Sequence, residues 1–280
     1  MSQSARMLRV AAVQMEVALA DRQKNLERIL EFAREAAGEG ARLVVFPECV
    51  LTGYVLESRE EAMELAEGAD GPTVKVMESL CCDLGIHVVY GYLERDVDRV
   101  FNALAFVGPQ GYVAGYRKIH LPHIGLDRFV DPGDRPFEVL DTDLGRLGLH
   151  ICYDGAFPES CRVLALQGAE LLLLPTNWPA GAEPFPLYCV NTRAWENTVN
   201  FLAADRVGVE REARFIGLSR IVDSQGKTLA EADGESETIL IADLDMDAPG
   251  VKRTVRVDGS HFVDRIADRR PEHYGRLTEE

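Results

Sequence analysis

Three polar residues stand where apolar runs end, and their types point to one chemistry. Cys152 closes Gly-Leu-His-Ile-Cys152 ahead of Tyr-Asp, Glu48 closes Arg-Leu-Val-Val-Phe-Pro-Glu48, and Lys118 follows Tyr-Val-Ala-Gly-Tyr-Arg. A thiol, a carboxylate and an amine at the rims of buried strands are the parts of a nucleophilic hydrolase. A free thiol, with a pKa of about 8.5, is only a few per cent thiolate at neutral pH, so it needs a base beside it. A carboxylate can take the proton as the sulfur attacks. Attack on an amide carbonyl gives a tetrahedral oxyanion that needs a cation and an N–H donor, and losing one donor costs ~3 kcal/mol in the barrier. Lys118 is the expected cation and the backbone N–H of Tyr153 the expected donor. Taken singly, each residue has a plainer explanation: Glu48 a strand cap, Lys118 a solvated charge, Cys152 a core thiol. Their coincidence carries the reading.

The elements that must position these groups alternate between strand and helix patterns. Residues 8–15 and 42–46 read as strands, with an amphipathic helix over 21–37 between them and Gly38 as its stop signal. A second helix is expected over 72–84, then strands over 86–94, 101–107 and 111–116, the last two joined by a Pro109-Gln-Gly turn. Strands over 146–152 and 170–174 flank a helix near 158–167, and further strands are expected at 201–205, 216–222 and 238–244. Gly40-Ala-Arg-Leu-Val-Val-Phe-Pro47 echoes Gly168-Ala-Glu-Leu-Leu-Leu-Leu-Pro175, each after an amphipathic helix. The echo suggests two similar halves whose sheets pack face to face with helices outside. No low-complexity linker divides residues 1–280, so one domain is expected. After Pro249 the apolar pattern fades into mixed Arg and Asp; this tail, about 250–280, is expected either to be mobile or to pack on a partner subunit.

Composition narrows the partners. A net charge of −16 argues against nucleic acid, which needs clustered Lys and Arg. No run reaches the ~18 apolar residues of a membrane span, and the N-terminus does not read as a secretory leader. The six cysteines (49, 81, 82, 152, 161 and 189) are therefore expected to be reduced, in a cytoplasmic protein. Cys81 or Cys82 falls on the core side of a helix with Met77, Leu80 and Leu84. His120 and His123 lack the companions of a metal site, and no phosphate-binding glycine loop is present, so neither metal nor cofactor is expected.

Phe-Pro-Glu48, Tyr-Arg-Lys118-Ile-His-Leu-Pro and Ile-Cys152-Tyr-Asp-Gly-Ala-Phe-Pro-Glu159 resemble the three signatures of the nitrilase superfamily of carbon–nitrogen hydrolases. Leu-Pro-Thr-Asn177-Trp178-Pro, Arg193-Ala-Trp-Glu196-Asn197 and Phe215-Ile-Gly-Leu-Ser219 extend the match, in order, over residues 8 to about 245. The resemblance implies an α-β-β-α sandwich of two mixed sheets, with Glu48 as general base, Lys118 as electrostatic stabiliser and Cys152 as nucleophile. It also implies a homodimer or higher homo-oligomer. The family often carries a second glutamate between Lys and Cys; here none precedes Glu138, and Asp127 is the proposed substitute, a shorter carboxylate that needs its loop to come closer. Cys-Tyr-Asp resembles the amidase and carbamoylase branches, whereas nitrilases more typically carry Cys-Trp-Glu. The expected substrate is thus a small linear amide, giving a carboxylic acid and ammonia through a thioester. An N-carbamoyl substrate is the alternative; a nitrile hydrolase or a catalytically silent scaffold ranks below it.

Tyr54, Asn177 and Trp178 are the expected substrate contacts. Tyr54 follows Glu48 on a Thr-Gly turn, and Trp178 leaves a strand's C-terminal end, where ligands commonly sit in α/β folds. Arg193, Glu196 and Asn197 share one helix face and are expected to support the site from behind.

Overall fold

Period-two burial sorts each apolar strand between two cores. In the computed structural model, which describes residues 5–279, Leu43 and Val45 face one hydrophobic cluster and Val44 the other. Leu171 and Leu173 likewise point inward, with Leu172 and Leu174 pointing outward. A strand buried on both faces must be covered on both, which gives the layers. Residues 1–4, part of the segment read above as carrying no leader, lie outside the described residues.

The first half runs β1 (Met7–Gln14), α1 (Arg22–Gly38), β2 (Leu43–Val45), α2 (Arg59–Leu65), α3 (Pro72–Leu84), β3 (His87–Asp96), β4 (Arg99–Gly108) and β5 (Gly111–Arg117). The second runs β6 (Val139–Thr142), β7 (Gly145–Leu149), α4 (Pro158–Leu166), β8 (Leu171–Pro175), α5 (Val190–Asn197) and β9 (Asn200–Ala204). A short ribbon of β10 (Val209–Glu210) and β11 (Ala213–Arg214) precedes β12 (Arg220–Val222), β13 (Thr228–Glu231) and β14 (Thr238–Asp245). The sheets have the orders β14-β1-β2-β3-β4-β5 and β13-β12-β9-β8-β7-β6. β14 crosses back to pair antiparallel with β1, so the last long strand of the second half completes the first sheet.

Helices α1 and α3 pack Ile29, Phe32, Ala33, Met77 and Cys81 on one outer face, and α4 and α5 pack Cys161, Leu164, Val190 and Ala194 on the other. Between the sheets, Leu8, Val10, Leu104 and Phe106 meet Leu147, Leu149, Leu171 and Leu202. Fully burying each such side chain contributes roughly 2 kcal/mol. This is the expected α-β-β-α sandwich. Among the described residues no helix is long and apolar enough to cross a membrane.

Sequence and structure part company at element ends. The strand expected over 146–152 stops at Leu149, because Asp154 draws the chain into a turn by accepting the Ile151 N–H. The strand expected over 216–222 begins only at Arg220, since Gly217 and Leu218 both have positive φ. The tail forms a hairpin, β15 (Arg253–Val257) with β16 (His261–Asp264), and folds back on its own chain. Lys252 Nζ donates to the Asn197 and Thr198 carbonyls at the end of α5, where a cation suits the helix dipole, and Arg265 stacks on Trp195 at 3.7 Å.

Candidate active site

Parallel strands deliver their C-terminal ends to one region, and the polar residues follow from that. β2 ends at Val45, and Phe46-Pro47 turn Glu48 beneath β3. The approach requires glycine at 91, where a Cβ would collide with the backbone of Glu48 and Cys49. β5 ends at Arg117 and releases Lys118; β7 ends at Leu149, three residues before Cys152.

Glu48, Lys118 and Asp127 converge with no solvent-exposed side-chain surface. Lys118 Nζ donates to Glu48 Oε1 at 2.7 Å and to Asp127 Oδ2 at 2.5 Å. Asn102 Nδ2 bridges the same two carboxylates, at 2.7 Å from Glu48 Oε1 and 2.9 Å from Asp127 Oδ1. Glu48 Oε2 has no partner among the described residues. One carboxylate oxygen is therefore unengaged in a cluster whose other charges are all paired.

The shorter Asp127 reaches Lys118 because its turn rides directly on Tyr54. Residues Gly125–Arg128 form a 3-10 turn whose Leu126 N–H donates to the Tyr54 carbonyl at 2.8 Å. Gly125 has φ +49°, and a Cβ there would collide with the Tyr54 ring. The Tyr54 hydroxyl then donates to Asp127 Oδ2 at 2.7 Å.

Cys152 has φ +43°, a left-handed conformation that costs a non-glycine residue about 1 kcal/mol or more. Asp154 holds the strained turn. Its Oδ2 accepts the Ile151 N–H (3.0 Å) and the Tyr116 hydroxyl (2.7 Å), and its Oδ1 accepts the His120 N–H (3.0 Å) and lies 2.8 Å from His120 Nδ1. Asp154 thus ties the thiol's turn to the segment that carries Lys118. His120 is engaged here and stacked on Phe157, while His123 is exposed.

Burial dominates the electrostatics. It raises the Cys152 thiol well above its ordinary value and Glu48 adds to this, while Lys118, the Thr176 side chain and the Asn177 N–H pull the other way. The thiol is therefore protonated at rest. Burial also raises the Glu48 carboxyl, with Lys118 opposing and Asp127 reinforcing, which makes Glu48 a stronger base than a solvated glutamate. Burial works against the Lys118 charge, but Asp127 and Glu48 outweigh it and keep the ammonium.

The other expected residues take different places, and Trp178 is packed in the outer core rather than set as a substrate wall. Asn177 is buried at the end of β8, and its Oδ1 and Nδ2 both lack partners among the described residues. Trp178 packs against Phe185 in the outer core, with its backbone N–H held by Asp205 Oδ1 at 2.9 Å. Tyr54 offers its hydroxyl to Asp127. Tyr153 lies beside Cys152 with its side chain half in solvent, edge-on to Phe157. Arg193 reaches the Gly155 and Ala156 carbonyls and pairs with Glu196, and Asn197 caps back onto α5. Asn102, Asp154 and Asp205 are assigned no site role from the sequence. Asn102 interrupts the apolar run Phe-Asn-Ala-Leu-Ala-Phe, and Asp154 stands two residues after the thiol; both were visible signals.

The profile of the family described as "Carbon-nitrogen hydrolase" matches residues 9–252. A nitrilase of Pyrococcus abyssi is 37% identical over 271 residues, spanning 96% of this chain and 100% of its own. An N-carbamoylputrescine amidase of Arabidopsis thaliana is 31% identical, over 89% of this chain and 88% of its own. Among solved structures, a variant of the amidase from Nesterenkonia sp. AN1 superposes with a TM-score of 0.80 at 26% identity, covering 99% of this chain and 98% of that one. That structure carries the acetamide moiety of fluoroacetamide added covalently at its active-site cysteine.

Proposed function

The chain belongs to the carbon–nitrogen hydrolase family, and we propose that within it the protein is a cofactor-free amidase that converts a small linear amide into a carboxylic acid and ammonia. The observation that carries this reading is the buried cluster in which Lys118 holds one oxygen of Glu48 and leaves the other unengaged. As Cys152 attacks the amide carbonyl, Glu48 takes the thiol proton and the sulfur–carbon bond forms. The oxyanion is met by Lys118 and the Tyr153 N–H. The intermediate collapses with cleavage of the carbon–nitrogen bond, the proton passing from Glu48 to the departing nitrogen. Glu48 then takes a proton from water as it attacks the thioester; the acid leaves and the thiol is restored. Lys118 remains an ammonium throughout.

Asn177 supports a carboxamide substrate, since its buried amide offers one donor and one acceptor to a group that presents the same pair. A ureido group presents that pair too, and the likeness to N-carbamoylputrescine amidase favours this as the second reading. The test is ammonia release from short aliphatic amides, amino-acid amides, carbamoyl amines or amino acids, and nitriles, with wild type beside Cys152→Ala. Release from an amide without carbon dioxide, abolished in Cys152→Ala, is the expected result. Carbon dioxide in equal amount moves the assignment to a carbamoyl substrate, and turnover by Cys152→Ala contradicts the thiol mechanism.

A further inference from the structure

A second pair of opposite charges is sealed in the protein away from the thiol. Arg206, just after β9, and Glu210, in β10, are ion-paired and essentially without solvent contact. Burying two charges is costly, and an apolar pair of similar volume often serves stability as well or better. The pair therefore calls for another explanation, and its remaining hydrogen bonds supply one. Glu210 Oε2 accepts two successive backbone N–H groups, from Tyr54 at 2.9 Å and Val55 at 2.8 Å. Arg206 donates to the Val17 carbonyl at 2.9 Å and lies over the Phe215 ring at 4.3 Å, which itself stands edge-on to Tyr54. No apolar side chain could hold those two N–H groups.

Tyr54 is where this grip meets the site. Its N–H is held by Glu210, its carbonyl holds the turn bearing Asp127, its hydroxyl binds Asp127 itself, and its ring faces Lys118 Nζ at 5.8 Å. We propose that Glu210, held by Arg206, is a positioning residue that fixes Tyr54 and through it the Asp127–Lys118 contact. It reaches from the second half of the chain to a loop of the first. The proposal rests on the amidase reading for the meaning of Lys118, but the placement is testable without it.

Two readouts separate the ideas. One is kcat and KM on whichever amide the wild type cleaves; the other is the rate and pH profile of Cys152 alkylation by iodoacetamide, which needs no turnover. Arg206→Met with Glu210→Leu removes both charges and the acceptor. Arg206→Met with Glu210→Gln removes the charges but keeps an acceptor oxygen. The first pair is expected to lower kcat by about 10²-fold, the loss typical of a misplaced group, with KM little changed and alkylation altered in its pH profile. The second pair is expected to recover at least about tenfold of that loss. Adding Tyr54→Phe to the first pair should change nothing further, because the hydroxyl is already displaced. Glu210→Asp, which keeps the charge but withdraws the oxygens by one methylene, tests the same point should the leucine pair fail to fold; it should move both readouts in the same direction. Wild-type kcat and alkylation in a folded leucine pair, or in Glu210→Asp, would overturn the proposal. So would equal defects in the leucine and glutamine pairs, or a full multiplicative loss on adding Tyr54→Phe. Wild type that alkylates normally but cleaves no amide would defeat the amidase reading while leaving the alkylation arm to judge the positioning.

Discussion

Arg117 and Lys118 are consecutive cations at the end of one strand, and their surroundings differ in kind. Alternation sends them to opposite sides of β5. Arg117 directs its guanidinium to Glu94 at 2.5 Å, Asp96 at 3.0 Å and Asp134 at 3.0 Å, and stacks on Phe101 at 3.9 Å. Asp96 and Asp134 are partly in solvent, so the group is a well-satisfied clasp at the sheet edge. Lys118 enters a fully buried cluster in which two carboxylates share one ammonium and one carboxylate oxygen is unengaged among the described residues. A fully paired charge holds structure together. A charge cluster with one unused acceptor beside a protonated thiol can move a proton. The difference lies in what is left unpaired, not in the number of ion pairs.

The largest expected effect breaks the comparison on the Lys118 side. Lys118→Met is expected to lower kcat per folded molecule about 10³-fold, the upper end for loss of an oxyanion-stabilising group, and also to cost stability, because it leaves Glu48 and Asp127 buried without their cation. A variant within tenfold of wild type would show that Lys118 is as structural as its neighbour. Arg117→Met should cost stability alone. It leaves Glu94 buried without its cation, at a cost of about 4 kcal/mol in urea unfolding, while kcat per folded molecule stays within a few-fold of wild type.

A third buried group sharpens the contrast by forming no salt bridge among the described residues. His150, directly after the end of β7 and packed on Phe201, is fully buried, and burial lowers its pKa to about 4 and keeps it neutral. Between that value and the ordinary 6.5 the unfolded chain binds a proton that the native protein refuses. Its contribution is therefore complete above pH 6.5 and lost as pH falls towards 4, about 3 kcal/mol in full. Urea unfolding at pH 7 and 4.5 measures the loss, and His150→Leu should flatten that part of the profile.

The sandwich was legible because both-face burial writes itself as unbroken apolar runs, as in Leu-Val-Val and Leu-Leu-Leu-Leu. Glu48, Lys118 and Cys152 stand out in the sequence as candidates because each ends such a run. What escaped depends on distance rather than order. Nothing local announces that Asn102, in the middle of β4, bridges Glu48 to Asp127, or that Glu210 holds a loop 156 positions away. The strand ends at Leu149 and Arg220 were misplaced for a similar reason. A side-chain acceptor in one case and two positive φ values in the other override the apolar pattern.

The central claim is a thioester on Cys152 formed with Glu48 as base. The most direct test is rapid acid quench during amide turnover, followed by peptide mass spectrometry of wild type and Glu48→Gln. The account predicts an acyl group on the Cys152 peptide in wild type, displaced by hydroxylamine, and no steady ammonia release from Glu48→Gln. Steady ammonia release by wild type with no acyl group on Cys152, even with hydroxylamine yielding no hydroxamate, would contradict it.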